Sequence, residues 1–500
     1  MTNYIREMSD IQSQLQEIVP RAAIYKGTNK SIDSTVHKTE YVTYPSNLSH
    51  VLEIGTTSSE QKVHFHVSGN CLLDGKNSYF SIQLKTNKWT SCLSGDISSL
   101  FKRLTISLPS SGNQILEDIQ EYNVLSSMIQ YMSGSDEDLE TNWYSGQSSM
   151  VGNTREENME TSRLDLNWNA GTDGWRTYTF SLNLSGLLQH SLYLPLFLLN
   201  GIKIELTMSS ALEALHWDPS NENDWESVLR AVNHRFPLSE NDIDGMDGSD
   251  MISQQLKSVY RRGDPDDTPN SLTYTIRQFT YHASVIWASS EYMDRLREGV
   301  NSSKGLSLFF NAYRFNIIQP ESPYVQFNFT EQLQNLRTVL MCTLMDSHRF
   351  AQNRHSINFF SSHIDNFTFR IGSRIFHRVD NVQPALAYVN TLVAMNRFNR
   401  YRANSVTFKN YNRERNVHIF NFERVIGDNE THSGLDTREG KLLRLELQFK
   451  DDPLLELKRK DSSVISTLRR GYSYNEVKVY AFLRFTRMVN ISSAGIGISE

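Results

Sequence analysis

The chain has 500 residues and a net charge of −6; 39% of its residues are hydrophobic and 21% are charged, with 25 Gly and 12 Pro. This composition excludes collagen-like and disordered chains, and the length suits two large β domains or three ordinary ones. The 22 Tyr and 25 Phe favour strands over helical bundles. The three cysteines argue against a secreted disulfide scaffold, and Cys71 and Cys92 are expected to be buried free thiols.

Neither a membrane span nor a leader is predicted from the sequence. No stretch approaches the ~18–20 apolar residues that cross a bilayer, and the longest apolar cluster, 192–199, contains Pro195. The N-terminus has neither the basic leader nor the apolar region of a signal peptide. We therefore expect a soluble protein that is made in a reducing compartment.

The two halves of the chain differ in charge. Residues 1–300 contain 23 Lys and Arg against 38 Asp and Glu, a net −15, whereas residues 301–500 contain 27 against 18, a net +9. Two explanations of this charge difference are open. One is a drift in composition between two domains, and the other is attraction between opposite halves of neighbouring copies at an interface. No run of more than three consecutive basic residues occurs, which argues against nucleic-acid binding.

The N-terminal 40 residues are polar and predicted to be peripheral. Apolar residues recur every three or four positions from Ile5 to Ile18, and Pro20 ends the pattern, which predicts a short amphipathic helix. Lys and Arg are scarce around it. Packing on a partner or on its own domain is therefore favoured over docking on a membrane.

From about residue 60 the hydrophobic period changes to two, which predicts half-buried strands of antiparallel sheets. In the first half these strands centre on Phe65, Ile82, Ile106, Phe180 and Ile204. A helix is predicted where apolar residues recur at spacings of three and four, at Ile115, Ile119, Tyr122, Leu125 and Ile129.

Two polar segments, 133–173 and 212–270, interrupt the strands. Loops this long in compact domains are usually functional or disordered, so we expect both to project from the surface. Residues 271–289 predict one or two further strands, and residues 289–300 have the composition of a helical connector.

The second half repeats the pattern, with strand signals centred on Leu308, Phe327, Phe369, Leu445 and residues 475–491, and a helix predicted over 384–396. About eight candidate strands in each half fit two β-sandwiches of related topology better than one large barrel. The predicted fold class is all-β with a few short helices.

Several segments resemble one family. SLFKRLTISLPSSGNQILEDIQEYNVLSSMI (99–129) resembles the strand, glycine-containing turn and helix found early in double jelly-roll major capsid proteins of small eukaryotic DNA viruses, namely polinton-like viruses, adintoviruses and virophages. LYLPLFLLNGIKIELTMSSALEAL (192–215) is similar to a strand pair of that family. Residues 272–300 resemble the last strand of the first jelly roll and the linking helix, and residues 433–450 and 475–491 resemble the closing strands of the second.

The resemblance implies two tandem eight-stranded jelly rolls with long surface loops. The implied boundaries are an arm with the amphipathic helix at 1–45, a first jelly roll at 46–290, a linker helix at 291–304, a second jelly roll at 305–492 and a tail at 493–500. The loops 133–173 and 212–270 would form towers on the outer surface, and the N-terminal helix would lie on the inner side.

The resemblance also implies a structural protein of the virion, assembled inside the host cell, and not an enzyme. Three chains would form a pseudo-hexameric capsomer, and capsomers would tile an icosahedral shell. The implied partners are further copies of the chain and penton or minor capsid proteins, with no specific nucleic acid and at most indirect membrane contact. The alternatives are a jelly-roll glycan-binding protein and a polysaccharide hydrolase.

No residue is assigned a catalytic, cofactor-binding or metal-binding role. His64 and His66 have the spacing of two ligands on one strand face, but no Glu follows as a cupin requires, so two outward polar positions are favoured. The loop Glu240, Asp242, Asp244, Gly245 matches part of a calcium loop, but Met251 stands where a bidentate Glu belongs. A solvated loop is therefore favoured there.

Two further groups of residues have both a structural and a functional interpretation. Glu117, Asp118 and Glu121 fall near the predicted helix start, where they would complement the helix dipole; a glycosidase would instead need two carboxylates facing a cleft. Residues 397–418 mix Arg and Lys with Tyr and Phe. They could stack on single-stranded nucleic acid, but a basic face that meets an acidic neighbour is favoured.

Overall fold

The fold is described from a computed structural model. The described residues are 36–55, 60–86, 90–92, 97–133, 175–217, 273–301, 305–345, 364–380, 384–394, 408–411, 416–423, 434–438, 442–449 and 477–499.

The first half is built from twelve strands within these ranges. They are β1 (Val36–Pro45), β2 (Leu52–Ile54), β3 (Lys62–Val67), β4 (Leu72–Thr86), β5 (Thr90–Cys92), β6 (Phe101–Leu108), β7 (Gln114–Gln120), β8 (Arg176–Phe180), β9 (Leu194–Pro195), β10 (Ile202–Met208), β11 (Leu215–Trp217) and β12 (Tyr274–Ala288).

The second half contributes nine described strands. They are β13 (Leu306–Ile318), β14 (Tyr324–Asn328), β15 (Leu336–Met345), β16 (Ile364–Ile371), β17 (Arg374–Asp380), β18 (Val417–Asn421), β19 (Leu443–Phe449), β20 (Val477–Ser492) and β21 (Gly495–Ser499). The described helices are α1 (Tyr122–Ser133), α2 (Leu196–Leu199), α3 (Ala211–Ala214), α4 (Ser290–Asn301), α5 (Pro384–Ala394) and α6 (Phe408–Tyr411), with 3₁₀ turns at Ile97–Leu100 and Pro109–Ser111.

Both halves arrange eight principal strands in the same order. In the first, the sheet β1-β12-β4-β8 faces the sheet β3-β10-β6-β7; in the second, β13-β20-β15-β18 faces β14-β19-β16-β17. Counted along each half, these are orders 1-8-3-6 and 2-7-4-5, all antiparallel, which is the double Greek key of a jelly roll. The predicted fold class, two tandem eight-stranded jelly rolls, is confirmed. We call the halves roll 1 and roll 2.

The core of roll 1 follows from the alternation in its strands. Along β3, Val63, Phe65 and Val67 are fully buried, and the residues between them face outward. The Phe65 ring packs edge-on against Phe80 and Phe279, with ring centroids 5.2 and 5.0 Å apart. These three rings come from both sheets, so aromatic contact holds the sandwich together.

The longest connections of both rolls leave one end of the molecule. Because consecutive strands of each roll run in opposite directions, the connections alternate between its two ends. The connections at one end of roll 1 include 121–175 and 209–273, whereas those at the other end are 68–71, 109–113 and 181–201. In roll 2 the connections at the first end include 346–363, 381–416 and 450–476, whereas 329–335 and 422–442 lie at the other end.

The first and last strands of the double jelly roll lie outside the domain boundaries that the sequence led us to expect. Residues 36–45, expected in a peripheral arm, form β1 and pair with β12 from Val36 to Pro45. Residues 495–499, expected in a tail, form β21 and pair with β20. In β1 the cause is a local period of two, in which Val42 and Tyr44 pack against the core while Tyr41 and Thr43 face out.

The helix predicted over Ile115 to Ile129 is wrong in its first part. Gln114–Gln120 is strand β7, paired with β6, and the helix begins only at Tyr122. Glu121 separates the two with a φ of 49°. The register shifts between Ile106 and Ser107, which leaves Leu116 as an extra residue in β7. This bulge breaks the alternation that would have identified a strand.

In the part of the chain that the structure describes, no helix has both the length and the apolar character needed to cross a bilayer.

Cys71 is a buried free thiol, as predicted, and so is Cys342. Burial raises the pKa of Cys71 to about 11, which keeps it protonated and unreactive. The Cys92 side chain lies outside the described residues.

Removing the ring at the centre of the roll 1 core tests this packing. We expect Phe65→Ala to lower the free energy of unfolding by about 3–5 kcal/mol, because it leaves a cavity among fixed neighbours. Val51→Ala, at an exposed apolar residue of the same roll, is the matched control and should change it by less than about 0.5 kcal/mol. Urea denaturation followed by tryptophan fluorescence measures both, and equal effects would contradict the assigned core.

Candidate functional site: the junction between the rolls

The two rolls meet where β7, an edge strand of roll 1, approaches β13 and its neighbours in roll 2. Gln114 Nε2 donates to the Ile496 carbonyl at 3.4 Å, and Ile496 pairs with Ile491, the partner of Leu306. Farther along β7, the Leu116 carbonyl accepts from Arg487, which pairs with Phe310. The two strands therefore run in the same direction, and the ends that carry the long connections lie on the same side.

A buried carboxyl group lies at the centre of the junction. Glu117, on β7, is fully buried, and its oxygens accept from the Ser185 hydroxyl at 2.5 Å, the Gly186 N–H at 2.7 Å and the Leu187 N–H at 3.4 Å. Burial raises the pKa of Glu117 to about 7, against the opposing effect of these donors and of Arg487. Glu117 therefore ties the connection 181–193 to the edge of roll 1 and changes charge near neutral pH.

The same connection touches roll 2 through backbone atoms. A Cβ added at Gly186 would collide with the Asn311 carbonyl oxygen, so only glycine allows this approach. His190 Nε2 lies 2.7 Å from the Phe309 carbonyl, and His190 Nδ1 accepts from the Leu192 N–H at 2.9 Å. Because a carbonyl only accepts, the proton is on Nε2. Burial lowers the pKa of His190, which keeps the ring neutral.

Two arginines complete the roll 2 side of the junction. Arg487 is buried and donates through Nη1 to the Leu116 carbonyl at 2.5 Å. Burial lowers its pKa to about 10, so it stays cationic at neutral pH. Arg337 is also buried, pairs with Glu423 and donates to Asn311 Oδ1 at 2.9 Å. Buried hydrogen bonds of this kind fix one arrangement of the partners, because breaking one leaves a buried charge unsatisfied.

A cleft of about 360 Å³ opens beside these contacts. Its lining comes from both rolls: Asn183, Leu184, Ser185, Gly186, Gln189, His190, Ser191, Phe309, Phe310, Asn311, Tyr313, Arg337, Arg484 and Thr486. None of these residues carries a carboxylate. The cleft therefore lacks the pair of acidic groups that a glycosidase needs.

The carboxylates considered in the sequence have separate structural roles. Glu117 and Asp118 lie on strand β7 rather than at a helix start, so the predicted complement to the helix dipole is wrong for both. Asp118 accepts from Arg103 Nε at 2.6 Å and Nη2 at 2.8 Å. Glu117 is buried at the junction while Asp118 pairs with a neighbouring strand, so the two do not face one cleft.

The histidine pair lies on the outward side of β3, as the alternation predicts. The rings of His64 and His66 are 5.2 Å apart and in edge contact. Their cross-strand partners include Lys203 and Glu205, and Glu205 is already paired with Lys203 at 2.7 Å and with Lys62 at 3.0 Å. Burial and the Lys203 charge lower the pKa of His64. Among the described side chains, no group of three or more His, Cys, Asp and Glu could hold a metal ion.

Other candidates lie wholly or partly outside the described residues. These are the N-terminal helix from Ile5 to Ile18, the loop Glu240–Asp244 and most of 397–418. Of the aromatic residues in the last segment, Phe408 and Tyr411 are described: Phe408 is 42% exposed, whereas Tyr411 is buried and its hydroxyl lies 3.1 Å from His418 Nδ1. Tyr411 therefore packs in roll 2 and is not free to stack on a base.

Apart from Glu117, which was assigned to a helix start, the junction residues were missed at the sequence level, although two signals were present. The short segment Ser185-Gly186-Leu187-Leu188-Gln189-His190 sits between a strand and an apolar run. Its serine, glycine and histidine are the residues that bind Glu117, approach Asn311 and reach Phe309. Glu117 itself breaks an apolar pattern, which marks a buried polar group when the neighbours are buried.

Comparisons of the sequence with family models and with curated proteins find no match. Solved structures do match in fold. The PBCV-1 virus capsid protein superposes with a TM-score of 0.53 at 10% identity over 96% of this chain and 99% of its own. A chain of the Sputnik virophage gives 0.53 at 10% over 95% and 89%, and the Faustovirus major capsid protein gives 0.53 at 8% over 96% and 94%. The fold is therefore the double jelly roll of viral major capsid proteins, as the resemblance predicted.

Filling the space at Gly186 tests the close approach between the rolls. We expect Gly186→Ala to destabilise the protein by about 1–3 kcal/mol, since the added methyl group must displace the Asn311 backbone. Gly497→Ala is the control, because its nearest neighbour would be 4.0 Å away. Thermal unfolding of both variants measures the difference, and an unchanged Gly186→Ala protein would refute the contact.

Titration of Glu117 predicts a pH-dependent stability. Its pKa is raised from 4.5 to about 7 in the folded chain. The contribution of Glu117 to the free energy of unfolding is therefore fully present below pH 4.5 and is lost as the pH rises through 7. Glu117→Gln stays neutral. Between these limits we expect the wild type to lose about 3 kcal/mol relative to the variant. Urea midpoints of the wild type and of Glu117→Gln, measured across this pH range, test the prediction. The same pH dependence in both proteins would contradict it.

Proposed function

We propose that the chain is a major capsid protein of the small eukaryotic DNA virus type. It self-associates into homotrimers, and each trimer forms a pseudo-hexameric capsomer of an icosahedral virion shell. The observation that carries the proposal is the presence of two jelly rolls with identical strand order, held side by side and in the same direction within one chain. Three such chains supply six similar units, which imitate sixfold symmetry.

The position of the connections supports one orientation in the shell. The longest connections of both rolls leave the same end, and β1 begins at Val36 at the opposite end. Helix α4, which joins the rolls, also lies at that opposite end, where Arg297 packs over the Phe197 ring at 5.3 Å. We infer that the end with the long connections faces outward and that residues 1–35 enter from the inner side.

The charge asymmetry between the halves is located mainly in these connections. In roll 1, residues 134–174 contain nine acidic and two basic residues, and residues 218–272 contain twelve and five, so each segment has a net charge of −7. In roll 2, residues 381–415 contain six basic residues and one acidic residue, a net +5. Alternation of roll 1 and roll 2 around a capsomer would place acidic segments beside basic ones and favour association.

A structural role accounts for the junction better than an enzymatic one. The cleft between the rolls has two arginines and no carboxylate, and the described acidic residues of β7 are bonded within the fold. We infer that the partners are further copies of the chain and, at the shell's vertices, penton or minor capsid proteins. The protein's location is then the virion capsid.

The solution mass tests this proposal. We expect a trimer of about three times 57.6 kDa in light scattering after size exclusion, with dissociation favoured by high salt because the segment charges are screened. A monomer at every concentration, together with binding or cleavage of a polysaccharide, would contradict the capsomer and support the glycan-binding or hydrolase alternative.

A further inference from the structure

The cleft between the rolls has a floor from roll 2 and a wall from roll 1. The floor is the outer face of the sheet β13-β20-β15, where Asn311 pairs with Thr486 and Tyr313 pairs with Arg484. The wall is the connection 181–193, whose lining residues carry no carboxylate, lysine or arginine. A molecule in this cleft would therefore contact both rolls at once.

A bulge brings a second arginine to the floor. The register between β15 and β20 shifts between Leu336 and Thr338, which makes Arg337 an extra residue of β15. Bulges of this kind turn a side chain away from the direction that strict alternation would give it. Arg337 donates to Asn311 Oδ1 at 2.9 Å and pairs with Glu423, and both side chains of this ion pair are buried. The charge of Arg337 is therefore balanced within the fold.

The charge of Arg484 has no such balance in the cleft. No carboxylate lines the cleft around it. In the part of the chain that the structure describes, its buried Nε–H has no acceptor. Withdrawing a guanidinium from water is costly unless acceptors or an opposite charge replace the water. Arg484 is therefore the group of the floor that an anion from solution would stabilise.

The polar atoms of the lining favour an anion over a neutral or cationic ligand. Several acceptor atoms are already occupied by donors of the protein, namely Asn311 Oδ1, Ser185 Oγ and His190 Nδ1. A ligand that has to donate hydrogen bonds would find these atoms engaged. A ligand that accepts hydrogen bonds is better matched, because donors remain on the floor.

Two hydroxyl groups of the floor can donate to such a ligand. Thr486 Oγ1 accepts from Asn335 Nδ2 at 2.9 Å, which leaves its own proton to donate. Burial raises the pKa of Tyr313 against the opposing charges of Arg484 and Arg337, so this phenol keeps its proton. The floor therefore combines one cation with two hydroxyl donors.

We propose that this cleft binds a phosphate group, free or carried by a small ester, with Arg484 as its cationic partner. Tyr313 and Thr486 donate to the phosphate from the floor, and the Gln189 amide donates from the wall, so the ligand bridges the rolls. Arginine suits this role because its planar guanidinium binds two phosphate oxygens at once. The volume of about 360 Å³ falls within the ~300–1,000 Å³ of small-molecule sites. The site belongs to a single chain and does not depend on the proposed assembly.

Phosphate binding by the full chain tests this site. We expect inorganic phosphate to raise the melting temperature more than sodium chloride at equal ionic strength, because a ligand of the folded chain stabilises it. In isothermal titration calorimetry, Arg484→Gln should weaken phosphate binding about 10- to 100-fold, the effect of losing hydrogen bonds to a charged group. Arg444→Gln is the matched control: it removes the same charge from an exposed residue outside the cleft and should bind like the wild type.

Hydrogen exchange tests the bridge between the rolls. Phosphate should slow the exchange of the amides of 181–193, because the ligand holds the wall to the floor. Gln189→Ala should reduce this protection. Unchanged exchange in the wild type at saturating phosphate would contradict the bridge.

A second variant and a second probe complete the test. Tyr313→Phe removes one hydroxyl and keeps the ring, so it replaces Arg484→Gln if that variant folds poorly, and its affinity for phosphate should fall about 2- to 10-fold. Phenyl phosphate distinguishes the sources of the phosphate group. Tighter binding than inorganic phosphate assigns the site to an ester whose organic part contacts Phe309, and equal or weaker binding assigns it to the free ion; both support the site. An affinity unchanged in the folded variants, or phosphate that stabilises the wild type no more than chloride, would overturn it.

Discussion

The relative placement of the two jelly rolls depends on a carboxyl group that is buried between them. Glu117 accepts hydrogen bonds from the connection 181–193, and that connection approaches the roll 2 backbone at Gly186 and His190. Arg487 closes the junction from the other side by binding the Leu116 carbonyl. A buried polar network of this kind is costly unless every member is satisfied, so it permits few alternative arrangements. The rolls are therefore held in one orientation rather than joined as independent domains.

That orientation determines what the rest of the molecule can do. Because β7 and β13 run in the same direction, the alternation of strand direction places the longest connections of both rolls at one end. The opposite end carries the start of β1, helix α4 and the shorter connections, of which 181–201 and 422–442 are the longest. A particle surface needs this polarity, since one end must face outward and the other must accept the chain termini.

Local patterns predicted most of the fold and little of the junction. The alternation of Val63, Phe65 and Val67 defines β3 because each position either enters the core or faces out. The bulge at Leu116 breaks this rule in β7, and the helical spacing of Ile115 and Ile119 then gave a wrong helix. Glu117 looked like a helix-start residue for the same reason. The contact of Gly186 with Asn311 joins positions far apart in the chain, and no local pattern encodes such a contact.

The central claim is that three copies repeat one roll-to-roll contact around a ring. Single-particle electron microscopy of the purified protein at high concentration tests it most directly. The account predicts a particle with three copies and six similar lobes, in which roll 1 and roll 2 alternate. Two-lobed single chains, or dimers related by a twofold axis through identical surfaces, would contradict it.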